Sequence, residues 1–185
     1  MRFDNNIAKE NYCTIRIEPL SKDNFRTDSL DNYIRKQDVK RVYRKQNGEY
    51  VLVDCVYTED WDIEKRRSVA AAICGDECIT FLALEVDNVV GFIGLKKELN
   101  GPYMILDMMH VSAEYRGKGI GRRLFEKGKA EARKAGAKAL YISACSSEET
   151  IAFYKAMGCK LAEHPIKESA ADEPCDLQLI CYIDI

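Results

Sequence analysis

The residues of this chain whose types and spacing most suggest chemistry run from Arg116 to Gly121. The stretch RGKGIG puts three glycines and two cations into six residues. Alternating glycines let backbone approach a ligand closely and adopt conformations barred to other residues. The run after them, IGRRLFEKGKAEARK, reads as a helix, and a helix N-terminus presents unpaired N–H groups with partial positive charge. Arg116, Lys118, Arg122 and Arg123 add formal charge around that spot. The physics therefore points to phosphate, and to a nucleotide-like pyrophosphate in particular. A P-loop would need Lys-Ser/Thr after its glycines, and none follows. A dinucleotide loop needs G-x-G-x-x-G, whereas Gly117, Gly119 and Gly121 are spaced G-x-G-x-G with Arg at 122. A plain turn seldom needs three alternating glycines.

Several elements must position this loop. TIRIEPL (14 to 20) alternates and reads as a first strand. DVKRVYRK and EYVLVDCVY flank QNG, a strong hairpin signal because Asn and Gly both tolerate positive φ. DIEKRRSVAAAIC (62 to 74) reads as a helix with Asp62 at its start and Gly75 at its end. CITFLALEV and VVGFIGLKKE form a second hairpin turning at Asp87 and Asn88, and Asn100-Gly101 turns the chain into PYMILDMMHV. The long helix then carries Ile120, Leu124 and Phe125 with Ala130 and Ala132 at looser spacing, and stops at Gly136. AKALYISA (137 to 144) is the next strand and SSEETIAFYKAMG (146 to 158) a capped helix. CKLAEH and DLQLICYID are closing strands around a polar loop, KESAADEP (167 to 174). This order implies an α/β mixed sheet with helices packed on it. A parallel pair is expected where the long helix crosses over, between the strand ending at Val111 and that at 137 to 144.

Composition narrows the classes. With 46% hydrophobic and 31% charged residues in 185, the chain is an ordinary globular protein of one domain, residues 1 to 185, with a hairpin insertion at about 28 to 61. A net charge of -2 argues against binding nucleic acid. No stretch is apolar for long enough to span a membrane. The charged N-terminus lacks the apolar run of a signal peptide, so a cytoplasmic location is expected. Eight cysteines with only two histidines, and Cys74 and Cys78 without a second pair, do not make a zinc pattern. Reduced thiols and no metal are therefore the expectation.

With two blocks in view, the chain resembles a known family. Arg116, Gly119 and Gly121 meet the [QR]-x-x-G-x-[GA] signature of the GNAT superfamily of acetyl-CoA-dependent N-acetyltransferases. IAFYKAMGC, about 35 residues on, resembles its second block through Phe153, Tyr154, Gly158 and Cys159. Cys159 stands where an aromatic is commoner. The resemblance covers about residues 79 to 163. It implies a mostly antiparallel sheet with helices on both faces and two splayed parallel strands.

For chemistry, the resemblance implies that backbone from Arg116 through Gly117, Lys118, Gly119 and Ile120 to Gly121, with Arg122 adjacent, holds the pyrophosphate of acetyl-CoA. The preceding stretch, Met109, His110 and Val111, is expected along the pantetheine arm. Backbone groups of Met109 and Val111 would face the arm, and His110 would be packed or hydrogen-bonded. Ser147 sits where the family often has an Asn reaching the cofactor. Tyr154 matches the proton donor to the departing thiolate. Strand alternation puts 105, 107, 109 and 111 on one face, and the family's acidic position on this strand favours Asp107 over His110. Asp107 would accept a proton through a water or hold the substrate ammonium. No histidine is placed to activate Cys145 as a nucleophile.

YMILDMMHVSAEYRGKGIG further resembles streptothricin acetyltransferases. The insertion would then be a lid bringing Glu59, Asp60 and Trp61 near a cationic acceptor, or else a surface hairpin or dimer contact. The acceptor itself stays open between a small cationic antibiotic, a polyamine or amino acid, and a protein N-terminus or lysine. A non-catalytic acyl-CoA-binding module is the rival reading. Homodimers are common among similar proteins, and no motif here specifies one.

Overall fold

The computed structural model describes residues 15–183. The N-terminal strand begins within it as β1 (Arg16–Pro19), while the reading against a signal peptide rests largely on residues 1–14, outside the described residues. Seven strands form one sheet in the order β1-β4-β5-β6-β7-β9-β8, with β4 (Cys78–Glu85), β5 (Asn88–Lys96), β6 (Tyr103–Val111), β7 (Ala139–Ala144), β8 (Lys160–Leu161) and β9 (Leu177–Tyr182). Every pairing is antiparallel except β6 with β7, the pair joined through the long helix α2 (Ile120–Lys134).

α2 shows why this crossover packs. Its buried positions are Ile120, Leu124, Phe125, Gly128 and Ala132, a stripe of helical period. Gly128, rather than Ala130, meets the sheet, because a Cβ there would lie 2.7 Å from Ile93 Cδ1. α2 and α3 (Glu148–Ala156) share one core with Phe81, Ile93, Leu106 and Ile142. The opposite face is covered by α1 (Ile63–Ile73), whose N-cap Asp62 accepts from Lys65 N–H at 2.7 Å. Beside α1, the irregular segment 20 to 36 contributes Phe25, Leu30 and Tyr33 to a second core with Leu82, Leu84 and Phe92.

β2 (Gln37–Gln46) and β3 (Glu49–Glu59) form a separate two-stranded sheet, turning at Asn47 and Gly48, both at positive φ as the Asn-Gly signal requires. This hairpin lies across the start of α3. Tyr43 N–H donates to Ser146 C=O at 2.8 Å, and Arg41 pairs with Glu148 at 2.6 Å.

Three local expectations are corrected. The second hairpin turns at Val86 and Asp87, not Asp87 and Asn88: pairing Leu84 with Val89 buries both on the α1 face, and a bulge after Ala83 absorbs the offset. Residues 167 to 174 are not all loop. Lys167–Asp172 form a short helix, α4, none of whose residues is buried, so no apolar period announced it. The third correction concerns β6, whose alternation breaks. Gly94 faces Met108 and Leu95 faces Leu106, which leaves Asp107 as the extra residue of a bulge. Among the described residues no helix is long and apolar enough to cross a membrane.

Candidate active site

β6 and β7 pair only from Tyr103 with Ala139 to Leu106 with Ile142. Beyond that point β6 keeps β5 as its neighbour and leaves β7, so the strands diverge toward the start of α2. The direction of the freed backbone follows from the ladder. Ser112 N–H donates to Val90 C=O at 2.9 Å, so Ser112 and, two residues back, His110 turn their peptide groups to β5. Met109 and Val111 must then turn theirs into the divergence. One of those groups is already engaged, since Arg116 Nε donates to Val111 C=O at 3.0 Å.

At the mouth of the divergence, Gly117 and Gly119 adopt φ of 74° and 80°, with open space where a Cβ would stand. Gly119 is the N-cap of α2, and the helix's first bond runs from Arg123 N–H to Gly119 C=O at 3.1 Å. The N–H groups of Ile120, Gly121 and Arg122 therefore have no intrahelical acceptor. Gly121 serves packing, because a Cβ there would lie 3.2 Å from Phe153. Of the cations, Arg116 ties the loop to segment 20 to 36 by donating to Lys36 C=O at 2.7 Å, and Lys118 lies 4.8 Å from the Tyr115 ring. Arg122 is exposed. A left-handed glycine loop, an uncapped first turn and a free strand edge in continuity fit a phosphate-bearing group with an extended amide arm.

Tyr154 lies in the α2/α3 core, 5.2 Å from Phe153 and 6.0 Å from Phe125 between ring centres. Burial, then the neighbouring Cys159, Asp176 and Cys145, push its phenol far above its ordinary value, so it stays protonated. Asp107 is elsewhere. The bulge turns it to the α1 face, 3.2 Å from Lys96 and 3.6 Å from the Cys78 thiol that donates to it. It lines a cleft of about 460 Å³ with Ala71, Ala72, Gly75, Cys78 and Lys96, and Tyr154 does not line that cleft. Asp107 therefore does not share a face with Met109 and Val111, which pack toward the α2 side. Ser147 is fully buried: its hydroxyl caps α3, donates to Thr150 Oγ1 at 2.8 Å and accepts from Gln37 Nε2 at 2.9 Å. The hydroxyl expected at the cofactor is thus spent inside the fold.

His110 points into the α1 face. Arg35 Nε donates to its Nδ1 at 3.0 Å, and the Trp61 ring stands edge-on at 4.8 Å. Burial first, then Arg35 and Arg116, lower its pKa to about 3, so the ring is neutral. Arg35 also holds Glu59 at 2.8 Å and lies over Trp61. Sequence reading missed Arg35 and Tyr33, since the turns of segment 20 to 36 carry no periodic signal. It also missed Asp176. Burial, then Glu173 and Glu59, raise that carboxyl to about 6, with Arg44 opposing. Asp176 thus lies within electrostatic reach of Glu173, of Glu59 and Arg44 from the β2–β3 hairpin, and of Tyr154.

The sequence profile of the acetyltransferase (GNAT) family matches residues 37–159. The chain belongs to the GNAT acetyltransferase family. Solved structures agree on the fold. A nourseothricin acetyltransferase shares 18% identity over 92% of this chain and 99% of its own, with a TM-score of 0.70. A Bacillus anthracis streptothricin acetyltransferase candidate, in complex with acetyl coenzyme A, shares 19% over 94% and 100%, at 0.65. The ribosomal-protein-S18-alanine N-acetyltransferase of Escherichia coli shares 16% over 93% and 96%, at 0.59. No curated protein matches the chain. The family's mostly antiparallel sheet with one parallel, diverging pair is the sheet of this GNAT protein.

Proposed function

We propose that the protein transfers the acetyl group of acetyl-CoA to the primary amine of a small cationic molecule, by direct attack in a ternary complex. The observation that carries this reading is the divergence of β6 and β7, continuous with the glycine loop at one end. Acetyl-CoA supplies the activated thioester. Backbone of Arg116 to Gly121 and Arg122 holds its pyrophosphate, and the peptide groups of Met109 and Val111 align its arm.

An ammonium has no lone pair until it loses a proton, and Asp176 with a pKa near 6 is matched to taking that proton near neutrality. As the nitrogen–carbon bond forms and the carbon–sulfur bond breaks, Tyr154 donates its proton to the sulfur. Glu173, and Glu59 shared with Arg35, add negative charge for a cationic acceptor, and Asp107, paired with Lys96 on the α1 face, is at most a second anchor. The nourseothricin acetyltransferase fold is in keeping with a small basic acceptor. Titration with acetyl-CoA followed by thiol release across antibiotics, polyamines and peptide N-termini tests the reading. Micromolar acetyl-CoA binding with release for small polyamines is expected. Release only with peptides would overturn the acceptor class, and binding without any release would make the protein an acyl-CoA-binding module.

A further inference from the structure

A buried chain of hydrogen bonds on the α1 face ends at the divergence. The backbone N–H of Ile166 donates to Tyr141 Oη at 2.9 Å, Tyr141 Oη lies 2.8 Å from Gln178 Oε1, and Gln178 Nε2 lies 2.8 Å from Ser143 Oγ. Tyr141 is 0% and Gln178 5% exposed. The direction of the chain is fixed from its closed end. A peptide N–H can only donate, so the Tyr141 oxygen accepts and its one hydrogen goes to Gln178. That sets the Gln178 carbonyl toward Tyr141 and its amide nitrogen toward Ser143, whose oxygen must then accept. Turning the amide over would strand the buried tyrosine hydrogen without an acceptor. The Ser143 hydrogen is therefore directed onward, and among the described residues no acceptor is in place for it.

Ser143 is the first residue of β7 beyond the last parallel pair, Leu106 with Ile142, and it is only partly buried. An arm held at the α2 N-terminus and laid along Val111 and Met109 would run toward this apex of the divergence. We propose that Ser143 donates its hydrogen to the carbonyl oxygen of the acetyl thioester, with Gln178 and Tyr141 as positioning residues that aim it. This rests on the acetyl-transfer reading above. When the amine attacks, the carbonyl π pair moves onto oxygen and the bond from Ser143 strengthens. It relaxes when the pair returns and the carbon–sulfur bond breaks. Donors pre-aimed in this way act where charge develops and need no reorganisation.

The test uses acetyl-CoA labelled with ¹³C at the carbonyl, bound to the full chain and read by infrared difference spectroscopy. In the wild type the carbonyl stretch should fall on binding. In Ser143→Ala it should return toward its solution value, and Ser143→Thr, which keeps the hydroxyl, should restore the fall. Turnover of Ser143→Ala should drop about 10²-fold, while affinity for CoA, which has no acetyl carbonyl, stays within twofold. Gln178→Met should give an intermediate stretch, and one identical to wild type would overturn the positioning role. A Ser143→Ala stretch and turnover equal to wild type, or a loss confined to the KM of the amine, would overturn the proposal. A wild type that binds acetyl-CoA without transferring it would sink the functional reading alone, since the infrared shift reports on Ser143 without turnover.

Discussion

Where the loop Arg116–Gly121 offers backbone, the group around Asp176 offers side chains. The first is one continuous run, from Met109 to Arg122, whose donors are peptide groups and whose shape is set by Gly117 and Gly119 at positive φ. The second is assembled from Arg35, Arg44, Glu59, Tyr154, Glu173 and Asp176, contributed by separate segments of the chain. A backbone site holds one constant ligand and tolerates change at most side chains. A side-chain site can be altered residue by residue without disturbing the fold, which suits the variable partner of the reaction.

The sharpest way to break this contrast is Gly119→Val. A β-branched residue in the left-handed region costs about 1–2 kcal/mol and redirects the loop's N–H groups. Acetyl-CoA affinity, measured calorimetrically, should fall at least about 100-fold. Glu59→Gln should leave it within about twofold. Equal losses in the two variants would mean that the two groups are not separate.

Next in size is Tyr154→Phe. It removes the proposed proton donor while keeping the ring that packs on Phe125 and Phe153. Turnover should drop about 10²-fold with unchanged acetyl-CoA affinity. Because burial holds the phenol protonated, the wild-type rate should show no basic limb from Tyr154 up to pH 9. A limb below that pH that disappears in Tyr154→Phe would show the phenol ionising and remove the donor role.

A smaller difference separates the two aspartates. Asp176→Asn should abolish an acidic limb near pH 6 in kcat/KM and lower the plateau by about 10²-fold, the worth of a general base. Asp107→Asn should cost only about threefold. Its partner Lys96 is part-exposed, and such pairs contribute about 0–1 kcal/mol. The reverse order would return the base to β6.

The same contrast governs what could be read from sequence. The glycine loop, the crossover helix and the Asn47-Gly48 hairpin are local, and their spacing signals them. Asp107 could be found but not aimed, because one bulge residue reverses strand parity and no residue type announces a bulge. Ser147 matched a position, yet Gln37 arrives from the hairpin to claim its hydroxyl. Asp176 lies in a polar stretch that reads as plain surface until the fold brings Glu59 and Arg44 of the hairpin within electrostatic reach. Arg35 and Tyr33 come from turns whose only pattern is tertiary. Elements are legible where period and propensity agree. A site built from non-local contacts is legible only after the sheet is assembled.

The smallest effect concerns stability, and its sign is opposite to that on activity. The Asp176 carboxyl has an ordinary value of 3.8 and is raised to about 6 in the fold. Between those values the folded chain binds more protons than the unfolded one, so stability falls as pH rises from 4 to 6 and the full penalty remains above that. The group is part-exposed, so solvent screening reduces the penalty to about 1 kcal/mol. Asp176→Asn should then raise the melting temperature by about 2–4 °C at pH 8 and leave it unchanged at pH 4, where the wild-type carboxyl is already neutral. A variant that is more stable and less active identifies a charge kept in an unfavourable place for the reaction. Equal melting temperatures at pH 8 would make Asp176 an ordinary surface carboxylate, and the proton acceptor would have to be sought on β6.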